Sequence, residues 1–352
     1  MNEKRINILD GFRVIAITIV MLYHFYSSYL DSYNYNFDSS IFYFGYLGVE
    51  FFFMISGFVI FITLKNSKNY IEFIKKRYLR LMPGMLICSI LTFTFFNIFD
   101  NSFYPQAKEL KNLIYSNTFL TPSIPNKILN TNFNYIDYSY WSLWIEVIFY
   151  FIVSTLYFIN KKNIILNFSL LTLLSTVMWY LFGTGNNVLE IPIYNSLNKI
   201  MNYIPFTGYL IWFLIGIIIS KLYENKKDYK YLIYLIFLFF LAYFTSKDQD
   251  FKCFTIVSAF IWFLFLYSNN LLKFLGGKFL SKLGRISYSV YLIHQMIGVL
   301  IVIKLSPYFG KYNWIIPIIL IIFFFLFGVL SFKYLEKPIG KKVNNLFFKS
   351  NK

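Results

Sequence analysis

The chain has 352 residues, 58% of them hydrophobic and only 14% charged, where an ordinary soluble domain has about 25% charged residues. That much apolar surface excludes a water-soluble domain and requires lipid as part of the solvent. The formal charge of +17 sits in short clusters between apolar runs, which argues against a nucleic-acid partner and for topology signals and contact with anionic lipid.

Ten segments read as membrane-spanning helices, each close to the roughly 20 apolar residues that a span needs. The first runs from Ile8 to Leu30. It is expected to remain in the protein rather than be cleaved as a signal, because Asp10 and Arg13 lie inside it and no small-residue cleavage site follows. Charged groups within a span are costly and point to function. Arg13 and His24 are eleven residues apart, which at 100° per residue returns them to one helix face, separated by roughly 16 Å along the axis. Asp10, three residues before Arg13, is placed to pair with it. Two plainer readings stand beside this one: Arg13 extending to the membrane surface, and His24 as a packing residue.

The second segment, Tyr43 to Leu64, carries Glu50, and its Ser56-Gly57 pair allows close helix approach or room for a narrow acyl chain. The run KKRYLRLMPG precedes the third segment, Leu81 to Phe99. Arg77 and Arg80 share a face if the helix has already begun there. Their planar donor forks suit phosphate, although topology alone also demands a basic cluster at this place. A polar, Asn-rich loop from Asp100 to Ser139 follows, broken by Pro105, Pro122 and Pro125.

The fourth segment, Tyr140 to Asn160, carries Glu146, and the fifth runs from Ile164 to Phe182. A second outer loop, Gly183 to Ile204, leads to the sixth segment, Pro205 to Ser220. The seventh, Tyr231 to Phe244, is short and weak; the eighth runs from Phe251 to Tyr267. The ninth, Ser287 to Ile303, places His294 roughly 11 Å above its inner end, well below His24. That height assigns His294 to packing or a cofactor channel rather than to chemistry. The tenth runs from Trp314 to Tyr334. Residues 1–340 form one transmembrane domain and 341–352 a short basic tail.

Counting Lys and Arg loop by loop puts 24 on the side of both termini and eight on the other. By the positive-inside rule both ends are then cytoplasmic. Glu50, Glu146 and His24 fall in one layer of the outer third, from their distances to the segment ends. A carboxylate there can orient an imidazole that acts as a base; which of the two carboxylates does so stays open. Cys88 and Cys253 lie within apolar runs and support neither a disulfide nor a metal site.

In this order, six sequence elements resemble the acyltransferase-3 family of bacterial membrane O-acyltransferases. LDGFRVIAITIVMLYH resembles the family's opening helix, with its Arg and His here at Arg13 and His24. GYLGVEFFFMISGFVI is similar to the second-helix signature with Glu50 at the acidic position, and KKRYLRLMPG to the Arg-x-x-Arg element. YWSLWIEVIFYF resembles the fourth-helix element through Trp141, Ser142, Glu146 and Tyr150. LGRISYSVYLIHQ, with Tyr288 and His294, and YLEKPIGK, with Glu336 and Pro338, resemble the closing elements.

The resemblance implies an all-α, multi-pass protein of the bacterial cytoplasmic membrane that takes an acyl group, usually acetyl, from cytoplasmic acyl-CoA. The acceptor it implies is a hydroxyl of an extracytoplasmic polysaccharide. Arg13, Arg77 and Arg80 would then face the donor, and His24 would serve as general base or acyl carrier, with Glu50 or Glu146 orienting it or binding sugar hydroxyls. Ser56, Trp141, Ser142, Tyr150, Tyr288, His294, Asp10 and Glu336 would support them. The chain is expected to lack the additional extracytoplasmic domain that some members carry, so a shuttle feeding a separate transferase is a second reading. A lipid-linked-sugar transporter is a third, although no internal repeat is apparent.

Overall fold

The computed structural model describes residues 5–100, 102–183, 192–246 and 248–347. Part of the second outer loop, Lys247 and the end of the basic tail therefore lie outside the described residues. Helix makes up 83% of the structure, with no strand among the described residues. Lipid imposes this outcome, because a helix satisfies its own backbone groups.

The helices are α1 (Asn7–Tyr26), α2 (Gly48–Lys65), α3 (Tyr70–Phe99), α4 (Leu110–Ser116), α5 (Ser123–Ile128), α6 (Trp141–Ile159) and α7 (Ile164–Met178). They continue with α8 (Tyr194–Tyr203), α9 (Leu210–Glu224), α10 (Tyr229–Thr245), α11 (Gln249–Tyr267), α12 (Lys278–Phe309), α13 (Ile315–Ser331) and α14 (Lys337–Phe347).

Among the described residues, eight segments are long and apolar enough to cross a membrane, where the hydropathy reading counted ten. The two that fall short are the sixth and seventh. Pro205 opens a 3-10 turn, Pro205–Gly208, which leaves α9 with 15 residues. At the end of α10, the Thr245 and Ser246 hydroxyls turn back onto the carbonyls of Leu241 and Ala242 and close a helix of 17 residues. Lengths of roughly 22 and 26 Å are below the roughly 30 Å of a hydrocarbon core.

Leu170 and Leu174 on α7, Phe240 and Phe244 on α10, Phe260 on α11, and Ile319 and Phe323 on α13 are each more than half exposed. Apolar faces of this extent are stable against lipid rather than water. The chain is a multi-pass membrane protein.

The chain forms two compact units. The first comprises Met1–Gly48, Lys75–Trp144 and Leu275–Lys352. Its centre is α1 packed along α12, with α13 against α12. The two helices approach so closely that a Cβ on Gly284 would lie 2.2 Å from the Asp10 carbonyl oxygen, and one on Gly11 would lie 2.4 Å from that of Leu275. The long outer loop belongs to this unit and is itself folded. Asn112, fully buried, donates to the Gln106 carbonyl and accepts from the Asn134 amide, while Asn126 accepts from the Phe133 amide. The asparagines of this loop thus replace the backbone partners that its prolines remove.

The second unit comprises Val49–Ile74 and Ile145–Phe274. Its core is α9, buried from Leu210 to Ser220. Gly57 of α2 lies against the Phe213 carbonyl and Gly216 of α9 against that of Met54, so the pair seats two backbones on each other.

Candidate active site

In the first unit, α1 carries two polar clusters. The first lies near its start. Asp10 is 1% exposed, and four donors converge on its carboxylate. Arg5 binds through Nε at 2.7 Å and a terminal nitrogen at 2.7 Å, Arg13 at 2.9 Å, and the Ser281 hydroxyl of α12 at 3.0 Å. The expected Asp10–Arg13 pair is present. Arg5 and Ser281 were not apparent in the sequence, Arg5 because it precedes the apolar run and Ser281 because it is distant in the chain.

Arg80 lies near enough for its charge to act on Arg13. The α3 helix begins at Tyr70, so Arg77 and Arg80 do lie on one helix; Arg77 is buried and Arg80 exposed. Two guanidinium groups on one carboxylate, with the charge of Arg80 close by, leave a surplus of positive charge suited to a phosphate-bearing ligand.

The second cluster lies near the other end of α1. His24 and His294 face each other with ring centroids 5.2 Å apart. This corrects the expectation that His294 lies well below His24. The helix carrying His294 starts at Lys278, nine residues before the predicted Ser287. His294 is therefore sixteen residues from that start, roughly 24 Å, and His24 is seventeen residues from the start of α1. The rings meet at one height.

His294 is fully buried, and its Nδ1 lies 2.8 Å from the Tyr291 carbonyl oxygen. A carbonyl accepts only, so Nδ1 carries the hydrogen in the neutral ring and Nε2 keeps its lone pair. His294 Nε2 and His24 Nδ1 are both buried without a hydrogen-bond partner. The His24 ring is partly exposed. Ring nitrogens buried in this way are free to accept a proton or a hydrogen bond from a ligand.

Beside the pair, Asp137 anchors the outer loop to α12. It accepts from the Ser139 amide at 2.8 Å, the Ser139 hydroxyl at 2.7 Å and the Met296 amide at 3.1 Å. Ser142 meets the Tyr291 hydroxyl at 2.7 Å, and Tyr291 also donates to the Ser139 carbonyl. Sequence reading missed Asp137 and Tyr291. The available signal was Asp137 two residues before Ser139, an N-cap pattern ahead of α6.

Burial, only partly offset by the bonds from Ser139 and Met296, pushes the Asp137 carboxyl up from 3.8 to about 6. A carboxyl that holds its proton longer in the folded state gives stability that is complete below about pH 4. That stability is lost as pH rises to about 6, after which the curve is flat. Thermal unfolding in detergent is expected to fall by on the order of 2–3 kcal/mol across this window, and Asp137→Asn is expected to remove the slope. An unchanged slope in the variant would assign the pH dependence to another group.

Glu336 is buried and accepts from Ser289 at 2.5 Å and Ser331 at 3.1 Å, joining the turn after α13 to α12. Tyr288 donates to the Leu81 carbonyl at 3.1 Å. Both act within the scaffold of the first unit. Trp141 is partly buried at the start of α6.

In the second unit, Glu146 accepts from Ser56 at 2.7 Å and from Tyr150, one turn along α6, at 2.5 Å. Three of the predicted residues are thus one hydrogen-bonded group, with Gly57 securing the close approach of α2 to α9 beside it. Glu50 stands in the first turn of α2, 3% exposed, with Oε2 unpartnered. A carboxylate buried in this way is costly unless a ligand or proton completes it.

A family model described as an acyltransferase domain matches residues 6–335. The O-acetyltransferase OatA of Staphylococcus aureus is 27% identical over 387 aligned positions, covering 95% of this chain and 57% of that protein. An O-acetyl transferase of Shigella phage Sf6 is 29% identical over 154 positions, 42% of this chain and 45% of that protein. The chain thus spans little more than half the length of the Staphylococcus relative. No solved structure matches it.

Proposed function

This chain belongs to the acyltransferase family whose domain model it matches, and from that premise we propose that it is a membrane O-acetyltransferase. It takes an acetyl group from acetyl-CoA on the cytoplasmic side of the bacterial cytoplasmic membrane and passes it to a hydroxyl of an extracytoplasmic surface polysaccharide. One observation carries the reading: Arg13 and His24 stand on the same helix, roughly 16 Å apart, with His24 facing His294 of α12, within one compact unit. An extended pantetheine arm suits that gap, with its phosphates at Arg13, Arg77 and Arg80 and its thioester toward His24.

His24 takes the proton of the sugar hydroxyl as its oxygen attacks the acetyl carbonyl. The tetrahedral intermediate collapses, the C–S bond breaks and CoA leaves as the thiolate, which needs little acid help. In the variant route His24 itself attacks first and carries the acetyl group to the sugar.

The test uses purified protein in liposomes, with radiolabelled acetyl-CoA on one face and surface glycan on the other. Label in the glycan supports a self-sufficient enzyme. Acetyl-CoA binding without label in the glycan supports a shuttle that requires an extracytoplasmic partner transferase. Neither signal removes the proposal. Arg80→Ala is expected to weaken acetyl-CoA binding about tenfold, the low end for losing a charge-assisted contact at an exposed site. Wild-type affinity in this variant would remove the phosphate role.

A further inference from the structure

The second unit holds a cavity of about 570 Å³ where α2, α6 and α9 end and α7 and α10 begin. Lys65, Lys161, Lys162 and Lys221 line it. Glu224 pairs with Lys65 and lies 3.6 Å from Lys221. Among the described residues, Lys161 and Lys162 have no carboxylate partner. The Ser169 and Tyr234 hydroxyls also line the cavity and interact with each other. Ser169 is only 7% exposed.

A basic cluster at a helix end can be a topology signal alone. A topology signal requires neither a concave site nor hydroxyls set into its wall. These features ask for an anion that accepts several hydrogen bonds. The wall of the cavity limits the choice further. Leu166 and Leu170 line it and are 58% and 59% exposed, and Leu174 continues their row along α7. The acyl chains of a phospholipid held by its headgroup in the cavity would lie along that face.

We propose that this cavity binds the phosphate headgroup of an anionic phospholipid, with its acyl chains against the exposed leucine face of α7. Lys161 and Lys162 hold the phosphodiester, while Ser169 and Tyr234 donate to its oxygens or to the headgroup hydroxyls. This site does not depend on the acyltransferase reading and uses none of its residues.

The experiment is a titration of full-length protein in uncharged detergent with dioleoyl phosphatidylglycerol, read by native mass spectrometry. Wild type is expected to retain the lipid. Lys161→Gln/Lys162→Gln is expected to bind it about thirty-fold more weakly, at about fivefold per lysine. Lys226→Gln/Lys227→Gln, on the exposed neighbouring turn, is expected to bind as wild type does. Glycerophosphoglycerol, inorganic phosphate and CoA are expected to leave the lipid in place at matched concentrations. Equal affinity in wild type and the Lys161/Lys162 variant would overturn the proposal. Displacement by any of the three chain-free anions would overturn it as well, and would identify a soluble phosphate site instead.

Discussion

If the proposed function holds, His24→Ala is expected to reduce acetyl transfer to glycan about a thousandfold, within the range that a positioned general base contributes, while acetyl-CoA binding stays near wild type. The two readouts separate because they belong to different ends of α1. The guanidinium cluster around Asp10 lies roughly 16 Å from the imidazole, and Arg5, Arg13 and Ser281 direct their bonds to Asp10. The alanine side chain removes both the lone pair that would accept the proton and the nitrogen that would carry an acyl group. The base and relay routes therefore predict the same loss. A rate within a few-fold of wild type would remove both. A variant that loses rate and acetyl-CoA binding together would indicate that α1 has shifted as a whole.

Gly284→Val is expected to cost at least about 3 kcal/mol, the upper end for overpacking, and to reduce the yield of folded protein. The Cβ would lie 2.2 Å from the Asp10 carbonyl oxygen and 2.6 Å from its carbonyl carbon and Cα. These neighbours are backbone, so no side-chain rotation relieves the overlap and α1 itself must withdraw. Withdrawal would also stretch the bond from Ser281 to Asp10, losing packing and polar contacts together. Gly276→Ala serves as the comparison, since its nearest neighbours are at 3.4 Å, an ordinary contact. The check is the unfolding midpoint of both variants in detergent. Equal midpoints would show that the α1–α12 contact does not limit stability.

Helical geometry alone made part of this site legible. Asp10, Arg13 and His24 lie on one helix at spacings that 100° per residue converts directly into a shared face. Hydropathy found the spans but misplaced their starts. The basic runs Lys278–Arg285 and Tyr70–Arg80 read as loop because they are charged, yet charge ends only the lipid-embedded stretch and not the helix. That confusion set His294 too low, whereas Arg77 and Arg80 required only that the helix extend back through them. Glu146 was identified by its burial within a span, but its bond to Ser56 joins positions 90 residues apart, a pairing that no local pattern encodes. Asp137 went unread for a different reason. It lies just outside a span, where a carboxylate is unremarkable until the loop around it folds.

The end of α1 just beyond His24 has its last carbonyls taken up by tyrosines. Tyr33 donates to the Phe25 carbonyl at 2.8 Å and Tyr35 to the same oxygen at 2.7 Å, while Tyr26 donates to the Trp314 carbonyl at 2.6 Å. Helix termini with free carbonyls fray, and fraying here would let the imidazole wander. With the terminus closed, the rotational and backbone freedom of that turn is lost once, during folding, instead of at every turnover. The barrier to transfer then contains little reorganisation of the protein. Amide hydrogens in this last turn should accordingly be among the slowest in the chain to exchange with deuterated solvent.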